Sequence, residues 1–98
     1  MFVIFLKFSE NKTRASDYMQ AHKDWIKAGF DEGVFLLVGN LQPAKGGAIL
    51  AHNSSLSEIE NRVNEDPFVK ENIVTAEISE ITPSKTDSRV EFLTKSHS

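Results

Sequence analysis

The residue of this 98-residue chain most readily read as a reagent is His22. On a helical wheel turning about 100° per residue, Ala15, Tyr18, Met19, Trp25, Ile26 and Gly29 all fall within about 60° of it, whereas Gln20, Lys23, Asp24, Lys27 and Asp31 lie about 100° away or farther. A histidine centred in an apolar stripe has two readings. It is a core residue with one ring nitrogen satisfied by a backbone carbonyl, or it is a base held between helix and sheet that exchanges a proton near neutral pH. Spacing alone favours the first. Asp66, in the run Asn64-Glu65-Asp66-Pro67-Phe68, is also double. Asp before Pro is a favoured helix start, yet if that turn packs beside the first helix its carboxylate can accept from the His22 ring and fix the tautomer.

Other chemistry is scarcer. The chain has no cysteine, which excludes a disulfide scaffold, a thiolate zinc site and a cysteine nucleophile. His52, at the end of the third strand, is expected as a surface or loop residue, and neither it nor His97 in the tail makes a metal-ligand spacing with His22; one His with one Asp falls short of the three protein ligands of a catalytic zinc site, so no metal is expected. Tyr18, Trp25 and Phe68 are candidates to line a substrate pocket, although aromatics at helical spacing more often serve as plain core. Lys7 and Arg14 are single basic residues of the kind that usually solvate a face.

These groups have to be positioned by a single modest domain. At this length roughly 65% of the unfolded chain's surface is buried on folding, and a composition 40% hydrophobic and 26% charged is that of a globular protein. A formal charge of -3 opposes a phosphate-neutralising surface, so nucleic acid is not an expected partner. Met1 to Phe8 is too short for a secretory signal and carries its lysine after the apolar run. No run approaches the ~20 apolar residues of a membrane span, and a soluble cytoplasmic protein is expected.

Phe2 to Phe8 reads as a strand, Arg14 to Glu32 as a helix with permissive Gly29 and Gly33 near its end, and Val34 to Leu41 as a second strand. Gln42-Pro43 and Gly46-Gly47 mark the following turn, and Ala48 to His52 a third strand. Ser55-x-x-Glu58 fits a capping box opening a helix through Leu56, Ile59 and Val63, Asp66-Pro67 starts another turn, and Ile73 to Thr82 is the fourth strand, ended by Pro83. The order is βαββαβ, an α+β two-layer arrangement with both helices on one face of an antiparallel sheet. The strands are nonetheless apolar on both faces. Phe2, Ile4, Leu6 and Phe8 oppose Val3 and Phe5; Val34, Leu36 and Val38 oppose Phe35, Leu37 and Leu41. Two short helices cannot cover both faces, so a homodimer with facing sheets is expected.

The ordered set of His22 with Trp25 to Gly33 behind it, Gly39 at the end of the second strand, Pro43, Gly46-Gly47, Asp66-Pro67-Phe68 and the closing Ile81-Thr82-Pro83 resembles the YCII-related (YciI-like) family. The resemblance spans residues 1–83. It implies a ferredoxin-like fold assembled as a dimeric α+β barrel, as in muconolactone isomerase, and an active-site His and Asp dyad that carries over to His22 and Asp66. Asn40 follows Gly39 where the family commonly has Pro, a difference at the pocket rim. Residues 84–98 run past the matching pattern, and with Val90, Phe92 and Leu93 as their large apolar side chains they form a tail or a docking arm.

The function expected from this reading is a small cofactor-independent enzyme. His22 moves a proton and Asp66 orients it, in an isomerisation or elimination on a small activated acid or lactone, the class that the resemblance implies. No Gly-rich phosphate loop is present to hold a nucleotide or flavin, so no cofactor is expected. The alternative is a dimeric module that binds a metabolite and regulates without chemistry, distinguished by ligand stabilisation without product. An RNA-binding βαββαβ domain is disfavoured because the third strand presents no aromatic for base stacking.

Overall fold

Strand β1 (Phe2–Phe8) is the centre around which the chain is built. In the computed structural model, which describes residues 1–95, β1 is followed by a 3₁₀ turn (Lys12–Arg14) and helix α1 (Ala15–Asp31). Strands β2 (Phe35–Leu41) and β3 (Gly46–Ala51) come next, then helix α2 (Leu56–Asn64), the single helical turn α3 (Pro67–Lys70) and strand β4 (Val74–Glu80). The sheet order β2-β3-β1-β4, with every neighbouring pair antiparallel, is the ferredoxin-like βαββαβ arrangement. No helix among the described residues is long and apolar enough to cross a membrane.

Local chemistry sets the element ends. At the end of α1 the Gly33 N–H donates to the Phe30 carbonyl (3.0 Å) and the Val34 N–H to the Gly29 carbonyl (2.9 Å), with Gly33 at φ 74°. This is a Schellman stop that a residue with a Cβ would strain. Gly29 has a different task. A Cβ there would lie 2.2 Å from the Phe35 ring, so its absence lets α1 settle onto the start of β2. At the start of α2 the capping box is complete: the Glu58 N–H donates to Ser55 Oγ (3.2 Å) and the Ser55 N–H to Glu58 Oε1 (2.8 Å).

The core lies between the helices and one face of the sheet. Phe2, Ile4, Leu6, Phe35, Ile49 and Ala51 from the strands meet Ile59 and Val63 of α2, Phe68 of α3 and Ile73, with Ala15, Tyr18 and Trp25 of α1 packed against them. The opposite face carries Val3, Phe5, Ala48 and Leu50, half-buried, and Leu37, which is 55% exposed. The expected alternation along β2 needs one correction. Phe35 pairs with Ala51 but Leu37 pairs with Leu50, so Leu36 is an extra residue in a bulge. Phe35, Val38 and Asn40 therefore share the helix-covered face, while Leu37 and Leu41 share the other. Gly39 lies inside β2 and Gly46-Gly47 begin β3, rather than forming the intervening turn.

Beyond β4 the chain turns back. The Ile81 N–H donates to the Met1 carbonyl (2.8 Å), and a 3₁₀ segment (Ser88–Lys95) brings Leu93 to 6% exposure and sets the Phe92 ring against His52, with centroids 5.6 Å apart. His52, expected as a surface or loop residue, lies just past β3 in the connection to α2 but is buried. His97 lies outside the described residues.

Candidate active site

Two pieces of the chain 44 residues apart meet at His22. Helix α1 presents the imidazole from its apolar stripe, and α3 presents Asp66 as its N-cap, with Pro67 at the first helical position. The cap has an extended backbone (φ -63°, ψ 124°), and Asp66 Oδ1 accepts from the Phe68 N–H at 3.0 Å. The same oxygen lies 2.7 Å from His22 Nδ1. The cap and the pairing with His22 are thus not alternatives, because one carboxylate oxygen does both. With the Asp66 carboxylate accepting, the ring proton sits on Nδ1, which leaves Nε2 as the atom able to take a proton from a third party.

The ring is held as well as oriented. The Phe68 ring is stacked on it at a centroid distance of 3.9 Å and an interplanar angle of 1°, and Trp25 stands 5.9 Å away. Trp25 is itself fixed, since its Nε1–H donates to the Arg62 carbonyl at 3.0 Å and its ring meets Phe35 edge-on. Asp66 is completely buried, and its Oδ2 has no hydrogen-bond partner among the described residues. The His22 side chain keeps 13% exposure. A buried acid behind a histidine that still reaches open space is an arrangement suited to proton transfer rather than to packing alone.

That open space is a cavity of about 360 Å³ between α1 and the sheet. Its walls are mainly apolar: Met19 and Ile26 from α1, Leu6, Val38 and Ile49 from the strands, Phe68 and Val74. The sheet register accounts for the room. Ala76, Leu6, Gly47 and Asn40 form one row across the sheet on the helix-covered face, and Gly47 puts no side chain into the middle of it. Three polar side chains line the cavity, those of His22, Lys23 and Asn40. Among the described residues no group of three or more His, Cys, Asp or Glu could hold a metal ion.

A family model for the YCII-related domain matches residues 1–83, most of the chain. The chain belongs to the YCII-related family. No curated protein matches the sequence. Among solved structures, this YCII-related chain is similar to 5-chloro-2-hydroxyhydroquinone dehydrochlorinase (TftG) from Burkholderia phenoliruptrix AC1100, determined in complex with 2,5-dihydroxybenzoquinone. The TM-score is 0.67 at 14% identity, over 83% of this chain and 93% of that one. At that identity the likeness establishes the shared fold.

Of the five residues singled out from the sequence, His22, Asp66 and Phe68 are in mutual contact. Tyr18 and Trp25 are not in the cavity lining. Tyr18 packs against the core and its hydroxyl accepts from Arg14 Nη2 at 2.9 Å, while Trp25 stands against the His22 ring outside the cavity lining. Lys23 and Asn40 also line the cavity; the family resemblance put Asn40 at the pocket rim without a role, and sequence reasoning did not mark Lys23. The wheel held part of the answer. Ile26, Met19 and Lys23 occupy one flank of His22, at about 40°, 60° and 100°, whereas Tyr18 and Trp25 occupy the other. Which flank faces empty space depends on how α1 lies on the sheet.

Proposed function

We propose that this YCII-related protein is a small cofactor-independent enzyme that moves a proton on a small activated acid or lactone. His22 Nε2 is the base, and Asp66 holds the ring through Nδ1 and balances the charge it acquires. In an elimination, Nε2 takes a proton from a carbon or a ring hydroxyl, the freed C–H or O–H electron pair feeds a new double bond, and the leaving group departs with its own pair. In an isomerisation the same proton returns to a different carbon of the substrate. The observation that carries this reading is the 2.7 Å contact between His22 Nδ1 and the buried Asp66 carboxylate in a histidine that also lines the cavity. The fold shared with a dehydrochlorinase supports elimination as the first reaction to assay.

The test is turnover of 5-chloro-2-hydroxyhydroquinone, and of a panel of lactones, followed by chloride release and product absorbance. Replacing His22 by Ala should lower the rate roughly 10²–10⁴-fold, the usual share of a general base. Wild-type turnover in that variant would sink the proposal, and ligand-dependent stabilisation without any product would favour a metabolite-binding module.

The functional unit is a homodimer. Both helices pack on one face of the sheet, and the other face presents Val3, Phe5, Leu50 and the 55%-exposed Leu37. A second copy of that face covers it with matching chemistry. A monomeric mass at micromolar concentration in light scattering would count against this.

A further inference from the structure

Resting on the reading of the cavity as a substrate site, we infer that its ligand is a planar six-membered-ring acid, with an ionised oxygen held by Lys23 and a second oxygen bonded by Asn40. Size comes first. A cavity near 150 Å³ accommodates benzene, so about 360 Å³ has room for one substituted ring. Shape agrees on the sheet side, because that wall carries no side chain where Gly47 stands between Leu6 and Asn40.

Charge then narrows the class. No Asp or Glu lines the cavity, and Lys23 is its one lysine or arginine. Elsewhere Lys7, Arg14, Lys27, Arg62 and Arg89 are each within 4 Å of an acid: Glu77, Glu71, Asp31, Glu32 and Asp87 respectively. Among the described residues Lys23 has no such neighbour, nor have Lys12, Lys45, Lys70 and Lys85, but of these Lys23 alone lines the cavity. The protein's formal charge of -3 would otherwise repel an anion, so an unneutralised ammonium at this rim is the feature that admits one. Asn40 reaches the same space because the bulge at Leu36 shifts the phase of β2 and turns it toward α1, opposite Gly47. Its carboxamide makes no hydrogen bond within the described residues, so both its donor and its acceptor are open to a ring hydroxyl or carbonyl. Base, ammonium and carboxamide thus surround one apolar volume, and a conjugated ring bearing an ionised oxygen is the ligand that satisfies all three.

The experiment measures binding by calorimetry and Trp25 fluorescence with two rings of equal size. One is 2,5-dihydroxybenzoquinone, a vinylogous acid ionised at neutral pH, and the other is 1,2,4,5-tetrahydroxybenzene, which carries the same four ring oxygens and is uncharged. Wild type should prefer the anion by about tenfold in low salt, with the gap narrowing as salt rises. Lys23→Gln should lose about tenfold in affinity for the anion alone, Lys23→Arg should keep it, and Asn40→Leu should weaken both rings roughly fivefold. An anion preference unchanged in Lys23→Gln, or no binding of either ring to wild type, overturns the inference. His22→Gln separates the two claims, since it should keep the anion preference while losing turnover. If it keeps turnover instead, the proton-transfer reading falls and the assignment of Lys23 and Asn40 stands.

Discussion

Two histidines in this molecule are largely buried and each lies against a phenylalanine, yet their surroundings differ in every other respect. His22 stacks flat on Phe68, meets a buried carboxylate at 2.7 Å and borders a cavity. His52 meets the edge of Phe92 and, among the described residues, pairs with no acid and leaves Nδ1 buried without a hydrogen bond. Burial pushes the His52 imidazole below its usual value, opposed by a hydrogen bond with the Gly33 backbone. Burial is therefore common to both, and it is the charged partner and the adjoining space that make one of them suited to chemistry.

Asp66 is the sharpest point at which to break that contrast. Asp66→Asn should leave His22 in place but offer it an amide in place of a carboxylate, lowering turnover by about 10²–10⁴ through the wrong tautomer. Asp66→Ala removes the cap as well and strands the histidine, at about 3 kcal/mol of stability by urea titration. Equal activity in Asp66→Asn and wild type would reduce the pair to a structural contact.

The tail offers a smaller effect on the other histidine. Leu93 is buried, so Leu93→Ala should cost about 2 kcal/mol, seen as a lower Tm. An unchanged Tm would mean that the cover over His52 adds nothing to stability.

The smallest effect is the pH dependence that His52 contributes. Its folded value lies below the unfolded one, so as pH falls through about 6.5 the unfolded chain takes up the proton first. That group's share of stability is complete above the unfolded value and is lost as pH drops toward the folded one. Between about pH 7.5 and about pH 5.5, wild type should therefore lose more Tm than His52→Gln does. A steeper loss in the variant would reverse the assignment.

Much of the frame was legible in the residues because local physics writes it there. The α1 stripe, the Ser55 capping box and the Asp66-Pro67 start depend on neighbours within a turn of chain, and all three recur in the structure. The two-faced strands were equally plain, apart from β2. There an unpaired Leu36 shifts the phase, and no alternation rule reveals a bulge created by pairing with β3. His52 escaped for a related reason, since its cover comes from residues some forty positions later.

The sequence alone determined the βαββαβ order, the absence of thiol chemistry and the candidacy of His22 and Asp66, because composition and short-range periodicity carry that information. Only the tertiary structure decided that one oxygen of Asp66 serves cap and dyad together, and that Lys23 and Asn40 rather than Tyr18 and Trp25 border the cavity. Those outcomes depend on the angle at which α1 crosses the sheet and on the register of β2 against β3. Both are set by packing between segments far apart in the chain, where each residue's own preference is silent.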